Sequence, residues 1–303
     1  MTEKFEFIDG EKDNYPLVWM FAWMDISKSG YYEWRGRPDS VTARRRAGLK
    51  ELIQQIFAEY DETYGYRRIH AELNRRGVPC GPELIRALVR ELGLVACQPR
   101  PWRLTTIPDA DVVNTPDLVK RNFTADDTGA KLVGDITYIK TWNGWLYLAT
   151  VIDCYTKMVV GYAMATHMET SLIRAAIDMA ARNITLPKDA IFHSDRGSQY
   201  TSSEFRGHLR RLGIRPSLGR TGICYDNAMA ESFNAALKTE LVYRTAFPTH
   251  EHARKAIARY IEFFYNRKRL HSGLGYRIPI EVHDEYLNRQ LAAQETLKAT
   301  VRN

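Results

Sequence analysis

A mixed α/β core preceded by small all-helical modules is the architecture that this 303-residue sequence predicts. Three observations point there. From residue 131 to 241, apolar alternation and helical periodicity follow in the order strand, strand, strand, helix, strand, helix, strand, helix. Upstream, residues 41–96 repeat apolar side chains at helical spacing around a turn marked by Gly and Pro. Between the two, Cys97 to Asp127 is rich in proline and poor in periodicity, as a linker is. The chain thus divides into an N-terminal helical segment (1–40), a helix-turn-helix module (41–96), a linker (97–129), a mixed α/β core (130–280) and a tail (281–303).

The first 13 residues, MTEKFEFIDGEKD, are acidic and polar, unlike a signal peptide. Pro16 to Met24 is rich in aromatics and ends where Asp25 or Ser27 caps a second short helix. Trp19, Trp23, Tyr31, Tyr32 and Trp34 suit packing more than stacking on DNA bases. Arg44 to Tyr60 has a helical apolar stripe through Leu49, Leu52, Ile53, Ile56 and Phe57. A helix over Tyr66–Arg76, the turn GVPCG and a helix opened by Pro82 complete the module. Leu84, Ile85, Leu88, Val89 and Leu92 form its buried stripe, which leaves Arg86 and Arg90 on the opposite face. These two, with Arg67 and Arg68, are the candidate DNA contacts of the module.

In the core, KLVGDITYIK and WLYLATVIDC read as a hairpin joined by TWNG, with Asn143-Gly144 as the turn. KMVVGYAMAT is the third strand, SLIRAAIDMAARN the first helix, AIFHSD the fourth strand, SSEFRGHLRRLG the next helix and IRPSL the last strand. Asp135 lies within the first strand, and Asp195 ends the fourth. The helix that begins near Asp226 carries Asn227, Glu231, Asn234 and Lys238 on one face and Ala230, Phe233, Leu237 and Leu241 on the other. Hard divalent cations take oxygen ligands, and Mg²⁺ uses one or two carboxylates with substrate phosphates and water. Carboxylates drawn from two strands and a helix suit two such ions clamping the attacking and leaving oxygens of a phosphoryl transfer. Asp153 reads as a turn residue, whereas His193 divides evenly between orienting the site and simple packing. Gly219 to Gly222 has the composition of a mobile loop.

Forty-three basic against 36 acidic residues give a net charge of +7, unevenly spread. Val41–Arg103 carries twelve basic and seven acidic residues, Ser203–Arg277 fourteen and six, and Ala130–Tyr200 seven and six. Basic flanks around a near-neutral core suit a phosphate backbone as partner. Four dispersed cysteines without zinc spacing favour reduced thiols in a cytoplasmic protein, and LVWMFAWM is too short to span a bilayer. No GxxxxGK[ST] loop is present for ATP.

VGDITYI, GWLYLATVIDCYTKMVVGY, HSDRGSQYTS, DNAMAESFNAALKTE and YNRKRLHSGLGYRIP, in this order, resemble the core of DDE transposases and retroviral-type integrases. More narrowly, the chain resembles the second-frame (OrfB) proteins of the insertion-sequence-three family from about Tyr15 to Ile280. The resemblance implies a ribonuclease H-like fold, with Asp135, Asp195 and Glu231 as catalytic metal ligands for Mg²⁺ (Mn²⁺ may substitute). It further implies terminal contacts from Lys238 and Asn227, and Arg269 and His271 in a C-terminal signature beside Asn266. Implied partners are double-stranded DNA (the terminal inverted repeats and the target), further copies of the chain in a synapse, and a first-frame (OrfA) protein. Two departures stand out: Leu132 and Gly134 replace a common tryptophan and threonine, and SLGRTGICYDNA carries Tyr225 for tryptophan. Competing readings are a ribonuclease H-type or junction nuclease that cuts without joining, and a DNA-binding regulator with an inactive core.

Overall fold

The computed structural model describes residues 1–38, 40–98, 115–219 and 224–301. Three short helices come first, α1 (Thr2–Glu11), α2 (Leu17–Met24) and α3 (Lys28–Gly36). Ser27 is the cap of α3, its side chain accepting from the Gly30 amide at 3.1 Å. Asp25 closes α2 in the left-handed conformation at φ 50°, the backbone state that glycine takes most readily. Ile8, Met20, Phe21, Ile26 and Tyr31 make a separate small core. Helix α1 was not expected from its polar sequence; Ile8, fully buried, ties it down.

The next module is α4 (Val41–Glu59), α5 (Tyr66–Arg75) and α6 (Pro82–Glu91). Ser40 caps α4, and Pro82 starts α6 where a missing N–H is harmless. The expected stripes interlock through Leu49, Ile53, Ile56, Ile69, Leu73, Ile85 and Leu88. Leu270, from the far end of the chain, completes this core.

The sheet contains β1 (Lys131–Thr141), β2 (Gly144–Asp153), β3 (Val159–Ala165), β4 (Ile191–Ser194) and β5 (Arg215–Leu218) in the order β3-β2-β1-β4-β5. The first three strands are antiparallel, while β4 runs parallel to β1 and β5 parallel to β4. This is the ribonuclease H-like arrangement expected from the sequence. Helices α7 (Thr170–Asn183), α8 (Ser198–Thr201) and α9 (Ser203–Arg211) follow, and α7 and α9 pack on one face with Phe192 and Tyr200. On the other face lie α10 (Ala228–Glu240), α11 (His250–Arg259) and a π-helical turn, Tyr260–Tyr265. The last helix is α12 (Pro279–Val301). Gly161 lets α7 lie directly on β3: a Cβ there would stand 2.2 Å from the Ala176 carbonyl oxygen.

Three expectations need correction. Register pairs Thr141 with Gly144, so Trp142-Asn143 forms the hairpin tip and Gly144 (φ +102°) takes up the turn from the strand. The linker ends before residue 129, since Leu118 N–H donates to Ser217 Oγ at 2.9 Å and Lys131 Nζ donates to the Asn122 and Thr124 carbonyls. Helix α11 and the π-turn lie in a stretch where no helix was expected; Thr249 caps α11, and Ala253, Ile257 and Ile261 supply the buried stripe. Of the expected mobile loop, residues 220–222 lie outside the described residues.

Candidate active site

Asp135 sits in the middle of β1, the central strand, beside β4. Its Oδ1 accepts from the Ile136 amide at 2.8 Å and its Oδ2 from Asn234 Nδ2 of α10 at 2.8 Å. Asp195 follows the last residue of β4, and its Oδ1 accepts from the Gly197 amide at 3.0 Å, fixing the turn. Glu231, in the first turn of α10, is exposed, and the side chains of Ala230, Phe233 and Leu237 anchor the helix beneath it. Of the expected polar stripe, Asn234 reaches Asp135 and Glu231 lies within the field of Asp195.

Electrostatics binds the three acids into one site. Burial, and then the Asp195 carboxylate, push Asp135 up to about 7, with Glu231 adding to the effect. Burial also raises Asp195, while burial and Asp195 raise Glu231. Repulsion between carboxylates is what a divalent cation relieves. Among the described residues, no three His, Cys, Asp or Glu side chains converge closely enough to enclose an ion by themselves. Mg²⁺ does not require such a cage, because substrate phosphates and water complete its shell. All three candidate ligands are hard oxygen donors, and the buried Asn234 Oδ1 faces no partner, so the donor set fits the ion.

A clamp that the sequence did not reveal holds α10 in place. His193, fully buried on β4, meets Ser217 Oγ at 2.7 Å and the Asp226 carbonyl at 2.8 Å. A carbonyl only accepts, so Nε2 carries the proton and Nδ1 receives the Ser217 hydroxyl. Burial keeps this imidazole neutral by lowering its pKa. Arg121 Nε donates to Asp226 at 2.8 Å, and Asn227 Nδ2 donates to the Gly134 carbonyl at 3.1 Å. His193 is thus a positioning group for the start of α10. Asp153, fully buried, accepts from Thr128, Gly129 and Thr156 and is structural, as its turn position suggested.

The other candidates separate into two sets. Arg67 and Arg86 are exposed and flank the Tyr66 ring at 5.6 and 5.8 Å, with Arg90 exposed on the same helix as Arg86. Lys238 lies 4.9 Å above the Tyr138 ring, within the field of Asp135; burial lowers its pKa. Arg269 is not at the surface. It is 7% exposed and donates three hydrogen bonds of 2.7–3.1 Å to Glu240, whose carboxylate also receives Tyr260 Oη and lies 3.5 Å from Arg68. His271 accepts the Gly273 amide and packs edge-on to Tyr265; burial and Arg269 lower it to about 4. Asn227 is buried on the β1 backbone. The Arg269 guanidinium, the Asn227 Nδ2 and the His271 Nδ1 all make contacts within the protein, so the structure gives these three residues structural partners where the sequence suggested DNA. Asn266 likewise makes paired hydrogen bonds to Val159 on the edge of the sheet.

The sequence agrees with this geometry. Two models described as integrase core domain match residues 126–224 and 212–279, and one described as HTH-like domain matches residues 43–102. A 31 kDa protein of insertion element IS600 from Shigella sonnei is 38% identical over 88% of this chain and 98% of its own length. Transposase InsF of insertion sequence IS3A from Escherichia coli K12 is 32% identical over 95% of this chain and all of its own. Among solved structures, the HTLV-2 integrase catalytic core domain in complex with magnesium is similar at 17% identity, covering 52% of this chain and 97% of that one with a TM-score of 0.39.

Proposed function

The chain belongs to the IS3 family of transposases, and from that premise we propose that Asp135, Asp195 and Glu231 form its metal-dependent DNA cutting and joining centre. The observation that supports this is that the three acids, far apart in sequence, come within one another's electrostatic field, with Asp195 and Glu231 raising Asp135 and Asp195 raising Glu231, while Asn234 of the Glu231 helix hydrogen-bonds Asp135. They would hold Mg²⁺, or Mn²⁺ in its place. Such an ion would supply activation of an attacking hydroxyl and neutralisation of charge on the phosphate oxygens.

The residues of the chain do the rest. Asn234 and the Ile136 amide fix both oxygens of Asp135, so the ligand is oriented before substrate arrives. Lys238, within the field of Asp135, would meet a terminal phosphate or base. Water attacks one phosphodiester at the element's end and leaves a free 3′-hydroxyl. This hydroxyl then attacks a second phosphodiester and expels its 3′-oxygen, so one bond forms for each that breaks. No protein nucleophile takes part. Arg67, Arg86 and Arg90 line an exposed face of the helix-turn-helix-like module for the terminal inverted repeats, with phosphate contacts setting register and base contacts choosing sequence. The synaptic complex would hold more than one copy, with a first-frame protein as a further partner, in the bacterial cytoplasm. Among the described residues no helix is long and apolar enough to cross a membrane.

The test uses the full chain, Mg²⁺ and a labelled duplex carrying the element's own terminal repeat. Nicked and joined products that disappear in Asp195→Ala and Glu231→Gln are expected. Nicks without joined products, even with the first-frame protein added, would favour a plain nuclease.

A further inference from the structure

Three residues along β1 from Asp135, the β1–β2 hairpin carries aromatic side chains that the fold leaves exposed. Tyr138 is 52% exposed and Trp145 47%. Their rings stand 5.1 Å apart at 84°, so they form a corner. A planar group laid flat on one ring would present its edge to the other. One wall of this corner is tied to the site already described, since Lys238 Nζ lies 4.9 Å over Tyr138 and senses the charge of Asp135. Lys140, exposed, pairs with Trp145 across the hairpin. The hairpin is held firm, because the Trp142 amide donates to the Phe247 carbonyl at 3.0 Å and Thr141 Oγ1 donates to Gly144 O at 2.8 Å. It is a rigid aromatic corner with cations on its rim.

Rigid, exposed aromatic faces bordered by ammonium groups suit nucleobases, whose π faces stack while the adjoining phosphates meet the cations. Duplex DNA cannot offer a base face without unpairing it. We infer that Tyr138 and Trp145, with Lys238 at their edge, form a stacking site for one unpaired base of the DNA strand held at the three acids. The inference rests on the reading of Asp135, Asp195 and Glu231 as the cutting centre, and it goes further. It assigns the chain an active part in opening the duplex end, with the energy of stacking offsetting the loss of a base pair. A second copy of the chain is the alternative occupant of these rings, and Lys140 and Lys238 at the rim favour the polyanion.

The experiment is run in an Asp195→Ala background, so that it does not depend on whether the acids cut. Full-length protein is bound to the terminal-repeat duplex, and unpaired thymines are read by permanganate oxidation. Enhanced reactivity next to the cleavage position is expected, lost in Tyr138→Ala/Trp145→Ala and retained in Trp145→Phe. In the protein with its acids intact, the double variant should slow cutting of the paired end by about 5- to 150-fold, the range for one lost base stack. A substrate already mismatched at that position should recover most of this loss. Paired thymines in the complex, or reactivity unchanged by the double variant, would overturn the proposal. So would a double variant that lowers only the oligomeric state measured by light scattering, which would assign the rings to a second copy.

Discussion

Asp135 is the residue in which function and stability conflict. Its ordinary carboxylate pKa is raised to about 7 in the folded chain, so ionising it costs the native state free energy. The sign follows directly: the penalty is absent below the unfolded value, grows as pH rises, and is complete above about 7. Asp135→Asn should therefore raise the melting temperature of the metal-free protein at pH 8, with a gain that fades toward pH 4. The flipped Asn234 amide would offer its unpartnered Oδ1 to the new side chain. Thermal scans with and without Mg²⁺ check this, because the ion should stabilise only the parent. Equal melting at pH 8 would contradict it.

Gly134, one residue earlier, explains a departure that the sequence left open. An added Cβ would lie 2.3 Å from Phe192 Cζ, so the absent side chain and the large ring are complementary. Gly134→Thr should cost about 1–3 kcal/mol by overpacking. Gly134→Thr with Phe192→Leu should recover most of that in urea unfolding. Additive losses in the double-mutant cycle would show that the two positions are independent.

Among the elements, α10 links the most. Its N-terminal end is set by His193, Asp226 and Asn227, its middle presents Glu231 and Asn234, and its last residue, Glu240, accepts Arg269 and Tyr260 and approaches Arg68 of α5. Glu240 is 5% and Arg269 8% exposed at the side chain. Removing one partner leaves a buried charge, so Glu240→Gln should cost about 3–5 kcal/mol, while the paired Glu240→Leu/Arg269→Met change should cost much less. Denaturant titrations of the two variants decide it. A mild Glu240→Gln would mean that the pair carries little weight.

The sequence made α10 legible because its polar and apolar faces repeat at helical spacing. It could not reveal the clamp, whose members stand at positions 121, 193, 217 and 226 and meet only after β4, β5 and α10 are assembled. Asn234 was placed on the correct face, but its bond to Asp135 depends on how closely the helix approaches β1. The hairpin tip was displaced by one residue because Asn-Gly is a turn signal wherever register permits, and here cross-strand pairing shifted it. Helix α11 went unseen because its apolar positions are widely spaced among basic ones.

At the scale of the molecule, the helix-turn-helix-like module is joined to the core through Leu270 in its hydrophobic centre, Tyr64 Oη accepting the Leu270 amide at 2.8 Å, and Arg75 paired with Glu281. The motif order in the sequence announced both parts. Their junction was invisible, since it joins residues about two hundred positions apart, and Arg269, read as a DNA contact, belongs to the interior beside it. The salt dependence of DNA binding separates these roles. Arg86→Ala should reduce the slope of log affinity against log salt by about 0.9 if it meets a phosphate. Glu240→Leu/Arg269→Met should leave the slope unchanged, and a reduced slope would return Arg269 to the interface.

The central claim is that Asp135, Asp195 and Glu231 ligate the metal that cuts DNA. Replacing a hard oxygen donor by sulfur changes which ion a site prefers. The measurement is cutting of a terminal-repeat duplex by Asp195→Cys in Mg²⁺ and then in Mn²⁺, beside Asp195→Ala. Activity near background in Mg²⁺ and restored by Mn²⁺ in the cysteine variant alone is the predicted result. Undiminished cutting in Mg²⁺ by either variant would contradict it.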